Sequence, residues 1–341
     1  MYKIFAILLL SFIFTAALAI PFIHALYKLH IRQKPVKSVD MHGNKTVFND
    51  LHGWKVGTPT GGGVLILGSV LLFSIIFYVV TSFSINWTSI ILFVTLISFG
   101  VLGMYDDFRK MIRVRKRRIR ALPALEKLII QTILGLIIGY LLYKFTGLHT
   151  VEIPILSSVF RVNDISLGWL YIPFAAFVIV SSSNAFNITD GMDGLATGLM
   201  LIALSAFWVL AVPHTFSGDV ILFIAVLMGA LLAFLYFNVY PARLFMGDSG
   251  SIAFGALLGV IALLIGKSLV LPIIGGVFVI ELLSSLIQLF SIRYLGEKRL
   301  FKIAPLHHHF EAMGWDETKV TMRFWIAGAL CAFIGLFIAT I

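Results

Sequence analysis

Ten apolar runs of roughly span length interrupt this chain, near residues 4–26, 62–80, 88–105, 128–145, 168–186, 195–212, 219–237, 250–266, 269–291 and 324–340. About twenty such residues cross a hydrocarbon core of roughly 30 Å. In lipid the backbone must satisfy its own hydrogen bonds, so each run is expected as a helix. Only 12% of the 341 residues are charged and 60% are hydrophobic, against about a quarter charged in soluble domains. The expected fold is an all-α polytopic membrane protein with about ten transmembrane helices, a single integral membrane domain over 1–341. The longest pieces between runs hold about thirty residues, too few for a core of their own. The single Cys331 excludes a disulfide framework. The first run reads as a span rather than a signal peptide, despite Ala17-Leu18-Ala19. Its apolar residues continue to Leu26, and Lys28, Arg32, Lys34 and Lys37 follow instead of preceding it.

Charge fixes the expected orientation. Of the 26 Lys and Arg, all but Lys3, Lys144, Arg161 and Lys267 follow the odd-numbered spans. By the positive-inside tendency those loops are cytoplasmic and both termini extracytoplasmic. The net charge of +10 therefore points to lipid and phosphate rather than nucleic acid.

The segment Ser181–Gly198, between two apolar runs, holds Asn184, Asn187, Asp190 and Asp193. One aspartate at the centre of a membrane helix costs roughly 2.5–3.5 kcal/mol. With Asp190-Gly191 and Asp193-Gly194 as turn signals, the stretch is expected as a tight polar turn facing water. Its place after the fifth span makes it cytoplasmic.

The other odd loops also carry chemistry. Thr58-Pro59-Thr60-Gly61-Gly62-Gly63 follows Lys55, and the glycines allow close approach of backbone to a ligand. Asp106 and Asp107 stand before Arg109, Lys110 and a basic run from Arg113 to Arg120. They suit either a helical ion pair or a metal or proton acceptor. Asp248 lies between Gly247 and the start of a span, and Phe245, taken alone, reads as a lipid-facing residue. Glu281, Ser284 and Gln288 share one helical face. His307, His308 and His309 are consecutive, which suits hydrogen bonding to an anionic or sugar ligand better than a converging metal site.

Five segments, M-Y-D-D-F-R-K, N-A-F-N-I-T-D-G-M-D-G-L-A, N-V-Y-P-A-R-L-F-M-G-D-S-G-S, E-L-L-S-S-L-I-Q and A-P-L-H-H-H-F-E, occur in order on one expected face. Together they resemble the polyprenyl-phosphate N-acetylhexosamine-1-phosphate transferases, and within them the phospho-N-acetylmuramoyl-pentapeptide transferases. Two departures stand out: Gly61 replaces the methionine of the family's T-P-T-M-G-G, and loop one carries about ten extra residues around Asp40 to Asn49.

The resemblance implies transfer of phospho-N-acetylmuramoyl-pentapeptide from UDP-N-acetylmuramoyl-pentapeptide to undecaprenyl phosphate, giving lipid I and UMP. It implies a bacterial inner-membrane enzyme with a cytoplasm-facing site, Mg²⁺ and a homodimer. Carried over by motif, Asp248 holds the metal, and Asp106 and Asp107 handle the lipid phosphate. Asn187, Asp190, Asp193, Asn238, Phe245, Gly247, Ser251 and Gln288 shape the nucleotide pocket, with Phe245 on uracil. Lys55 and Thr60 contact the donor, and His307, His308 and His309 its phosphate or sugar side. Direct attack and a phospho-enzyme both fit these residues. The ninth loop separates this branch from the sister GlcNAc-1-phosphate transferases. The placing of the acids in loops, with no visible repeat, separates it from a transporter.

Overall fold

A computed structural model describes residues 2–32, 55–81, 84–116, 123–154, 164–212, 217–295 and 299–341. The loop-one insertion around Asp40–Asn49 and the end of the basic run after Lys116 lie outside the described residues.

The long helices follow the apolar runs. They are α1 (Tyr2–Lys28), α2 (Gly62–Thr81), α3 (Trp87–Lys116), α4 (Ala124–Leu141), α5 (Tyr171–Thr189), α6 (Leu195–Ala211), α7 (Ser217–Asn238) and α8 (Asp248–Leu264). A one-turn α9 (Leu271–Ile274), then α10 (Gly276–Tyr294), a short α11 (Leu306–Ala312) and α12 (Glu317–Thr340) complete the chain. Among the described residues, eight helices are long and apolar enough to cross a membrane; α6 and α8 are apolar but shorter.

Two expectations are corrected. The run at 269–291 is two helices, because Pro272 starts a new turn and the Gly275-Gly276 pair interrupts the helical ladder. The polar stretch from Ser181 is helical as far as Thr189, so only the residues from Asp190 to Gly194 form the turn. Asn184 is tolerated within the helix because its amide donates to Val180 O and to Gln131 of α4. The connection after α4 contains a small antiparallel pair of strands, β1 (Thr150–Glu152) and β2 (Asp164–Ser166).

The two short helices lie at the centre. α8 packs on α3 and α5, α6 packs on α7 and α12, and α1 lies along α7. Nearly every side chain of α8 is buried, which explains its uniformly apolar and small composition. Close helix approach is set by small residues. A Cβ on Gly103 of α3 would strike the backbone of Asp248, and one on Gly63 of α2 would strike Gly250. These contacts bring the start of α8 against α2 and α3.

Candidate active site

The loops after α1, α5 and α7 meet the C-terminal part of α3 in one cavity of about 270 Å³, Asp106, Asp107 and Lys110 lying on that helix rather than in a loop after it. Lys55, Thr60, Asp107, Lys110, Asn187, Asp190, Asp193, Asn238, Phe245, Gly247 and Asp248 all line it.

Two of these loops pair through their backbones. Phe245 N–H donates to Pro59 O, Gly61 and Gly62 N–H donate to Phe245 O, and Gly63 N–H donates to Met246 O. Gly62 and Gly63 thus approach the chain's own 245–246 segment and Gly250 closely. The pairing turns Phe245 into the cavity and not toward lipid, with Lys55 Nζ 5.8 Å from its ring centroid. Gly247 then starts α8 at φ +79°, and a Cβ there would lie 2.9 Å from Asp107 Oδ2, so conformation and space both require glycine.

At the start of α8 charges converge. Asp107 accepts from Asp248 N–H and Ser249 N–H, each at 3.0 Å. Asp248 Oδ2 accepts from Lys110 Nζ at 2.7 Å and from Lys127 Nζ at 2.9 Å. The same two lysines approach Asp106 Oδ2 at 3.2 and 3.4 Å. Asp106 Oδ1 is buried with no hydrogen-bond partner. Asn187 donates to Ser251 Oγ at 2.7 Å and lies 3.4 Å from Asp248 Oδ1, so Ser251 stands behind Asn187 rather than on the cavity wall.

On the far wall Asp193 accepts from Lys55 Nζ (2.7 Å) and from Ala242 N–H (2.8 Å). Asn238 braces the turn, its Oδ1 accepting from Gly194 N–H and Thr197 Oγ1 while its Nδ2 donates to Leu244 O. Burial pushes the Asp190 carboxyl up to about 7, with Asp248, Asp107 and Asp193 adding to the effect.

The remaining expected residues sit outside the wall. Gln288 spends its amide on the backbone of Leu300 and Phe301, which withdraws it from the cavity. Glu281 pairs with His307 Nδ1 at 2.8 Å, and Glu311 with His308 Nδ1 at 3.0 Å. The other edges of those two rings pack on Gly191, next to Asp190, where a Cβ would clash with His307. His309 turns the other way, accepting from Lys302 N–H. The first two rings stay together, their centroids 4.1 Å apart, and only the third diverges. Sequence reasoning missed Lys127 and Glu317. Each stands in the first turn of an apolar helix beside another charge, Glu126 or Lys319, and charges there are ordinarily interfacial anchors.

Among the described residues no three acids or histidines form a metal cage. The donor set does fit a divalent cation held partly by substrate. Asp248 and Asp106 turn carboxylate oxygens to one place, one Asp106 oxygen is unpartnered, and two ammonium groups already occupy the position of positive charge. Mg²⁺ typically takes one or two carboxylates, waters and substrate phosphates.

A helical bundle with eight candidate spans among the described residues, and a charge-lined pocket where helix ends and loops meet, defines a multi-pass membrane protein. The profile of the family described as "Glycosyl transferase family 4" matches residues 87–266, from α3 just past α8. The chain is 40% identical to the phospho-N-acetylmuramoyl-pentapeptide-transferase of Halalkalibacterium halodurans, covering 97% of this chain and 96% of that one. It is 39% identical to the protein of that name from Bacillus licheniformis, with 97% and 96% covered. It is 40% identical to that of Brachyspira hyodysenteriae, with 87% and 85% covered. The chain belongs to the phospho-N-acetylmuramoyl-pentapeptide-transferase family.

Proposed function

We propose that the protein transfers phospho-N-acetylmuramoyl-pentapeptide from UDP-N-acetylmuramoyl-pentapeptide to undecaprenyl phosphate at the cytoplasmic face of a bacterial inner membrane. The products are lipid I and UMP. The observation that carries this reading is the convergence of Asp248 and Lys110, backed by Asp106 and Lys127, at one end of a pocket whose other end holds Phe245, Lys55 and Asp193. One end suits two phosphates meeting, and the other suits a flat base.

Asp248 and Asp106 would hold Mg²⁺, which when bound offsets charge on the diphosphate and the leaving phosphate. Lys110 and Lys127 bind the anions and hold them near one another despite their repulsion. Asp107 has both oxygens on the N-terminus of α8, so it fixes Asp248 rather than meeting substrate. We favour direct attack. A phosphate monoester with second pKa near 6 is mostly dianionic at neutral pH, so it needs placing more than deprotonating. Its oxygen bonds to the sugar-linked phosphorus while the bond to the bridging oxygen breaks, and that oxygen leaves with UMP. His307 and His308 border the turn next to the pocket, and we assign them to the phosphate and sugar side of the donor. A homodimer is proposed on the family resemblance.

The test is release of labelled UMP by purified protein given the donor, undecaprenyl phosphate and Mg²⁺, for wild type and Asp248→Asn. Loss of the charge is expected to lower the rate at least about a thousandfold with thermal stability retained. A variant keeping a tenth of the wild-type rate would remove Asp248 from the reaction.

A further inference from the structure

The first turn of α12 supports the pocket from behind without lining it. Glu317, only 8% exposed, accepts from Lys55 Nζ at 2.5 Å and from Asp193 N–H at 2.8 Å. Lys55 Nζ also donates to Asp193 Oδ1 at 2.7 Å, so one buried ammonium lies between two carboxylates. The same helix face continues the grip one and two turns on. Thr321 Oγ1 donates to Asp193 O at 3.4 Å, and Trp325 Nε1 donates to Leu195 O at 3.3 Å. Residues at i, i+4 and i+8 lie on one side of a helix, and here that side holds the chain from Asp193 to Leu195. Gly198 is fitted to the same surface, since a Cβ there would collide with the Trp325 ring.

Lys55 and Asp193 line the cavity beside Phe245, and Glu317 does not. A lysine ammonium sits on a flexible four-carbon stem, so a single acceptor leaves its direction loose. A second acceptor that also binds the backbone of the first one's residue fixes both groups at once. The result is a donor and an acceptor side by side next to an aromatic face. A pyrimidine edge presents carbonyl acceptors beside an N–H donor, which is the complementary pattern.

We propose that Glu317 is a positioning residue for donor recognition, fixing the Lys55 ammonium and the Asp193 carboxylate as an adjacent pair at the base-reading end of the pocket. This rests on the reading that the pocket takes a uridine-linked donor. The full-length protein serves for the test, with UMP affinity measured by calorimetry and donor KM and kcat measured from UMP release. Glu317→Gln keeps an oxygen for Asp193 N–H but removes the charge opposite Lys55. It should weaken UMP binding and raise donor KM by about tenfold, the usual scale of a charge-assisted hydrogen bond, with kcat within about threefold. In a Lys55→Met background the same substitution should change UMP affinity by less than about twofold, because Glu317 acts through Lys55. A purely structural role would lower thermal stability and leave KM unmoved, which overturns the proposal, as would full additivity in the double variant. Should Glu317→Gln fail to fold, Lys55→Met against Lys55→Met with Glu317→Gln decides the point. Equal UMP affinity supports the proposal and a further tenfold loss overturns it. A wild type that neither binds UMP nor releases it overturns the function and this inference together. An active wild type indifferent to Glu317→Gln overturns only the inference.

Discussion

Asp107 on α3 accepts hydrogen bonds from the backbone of Asp248 and Ser249, both at 3.0 Å, so one aspartate caps the helix that presents another. An anionic group at a helix N-terminus satisfies orphan N–H groups and complements the helix dipole. Asp106, its neighbour in sequence, instead shares Lys110 and Lys127 with Asp248. The pair therefore divides between scaffold and chemistry. Asp107→Asn can accept at only one oxygen, so it should lower the melting temperature by a few degrees as well as the rate. Asp106→Asn should lower the rate alone. Thermal unfolding beside initial rates for the two variants checks this, and equal melting temperatures would contradict it.

Lys127 donates to Asp248 and approaches Asp106 and Asn187. An ammonium bound to two carboxylates competes with a divalent cation for them. Lys127→Met should cut kcat/KM by at least about tenfold, through the lost phosphate contact. It should also lower the Mg²⁺ concentration needed for half-maximal rate. A Mg²⁺ titration of both proteins separates these effects; an unchanged or higher requirement would argue against Lys127 acting on the cation site.

His308 touches the turn beside Asp190 and is oriented by Glu311. If the histidines serve the phosphate and sugar of the donor, His308→Ala should reduce kcat/KM about ten- to hundredfold and change UMP affinity far less. Equal losses in lipid I synthesis and UMP binding would place His308 at the nucleotide instead.

Asp190 carries a pKa raised by burial from 3.8 to about 7. The folded chain thus holds a proton that the unfolded chain has lost, and stability falls as pH rises through that window. The deficit is complete above pH 7. Asp190→Asn stays neutral throughout, so its melting temperature relative to wild type should be higher at pH 8 than at pH 5. Calorimetry in EDTA at the two pH values measures this, and an identical difference at both would place the titration elsewhere.

The apolar runs made the helices legible because lipid leaves the backbone no other choice. The acids were legible because charge in so apolar a chain has few structural excuses. Gln288 shows the limit, since its helical face was read correctly while its partners, the backbone of residues 300 and 301, lie on a loop that no periodicity locates. Lys127 and Glu317 show another limit. They meet their partners across 21 to 262 positions of chain, and a charge at a helix start looks the same whether it anchors in headgroups or closes a network. The Gly61–Gly63 pairing with Phe245 and Met246 was hidden for the same reason.

α8 spans 17 residues, or about 25 Å, against a hydrocarbon core of about 30 Å. If its far end keeps level with its neighbours, the carboxylate at its near end lies a few ångströms below the headgroups. α8 is buried by its neighbours along nearly its whole length, so hydrophobic mismatch is absorbed inside the protein rather than by bending the bilayer. A water-soluble donor then has to descend into the plane of the membrane, while a phosphate on a lipid tail needs only to slide sideways.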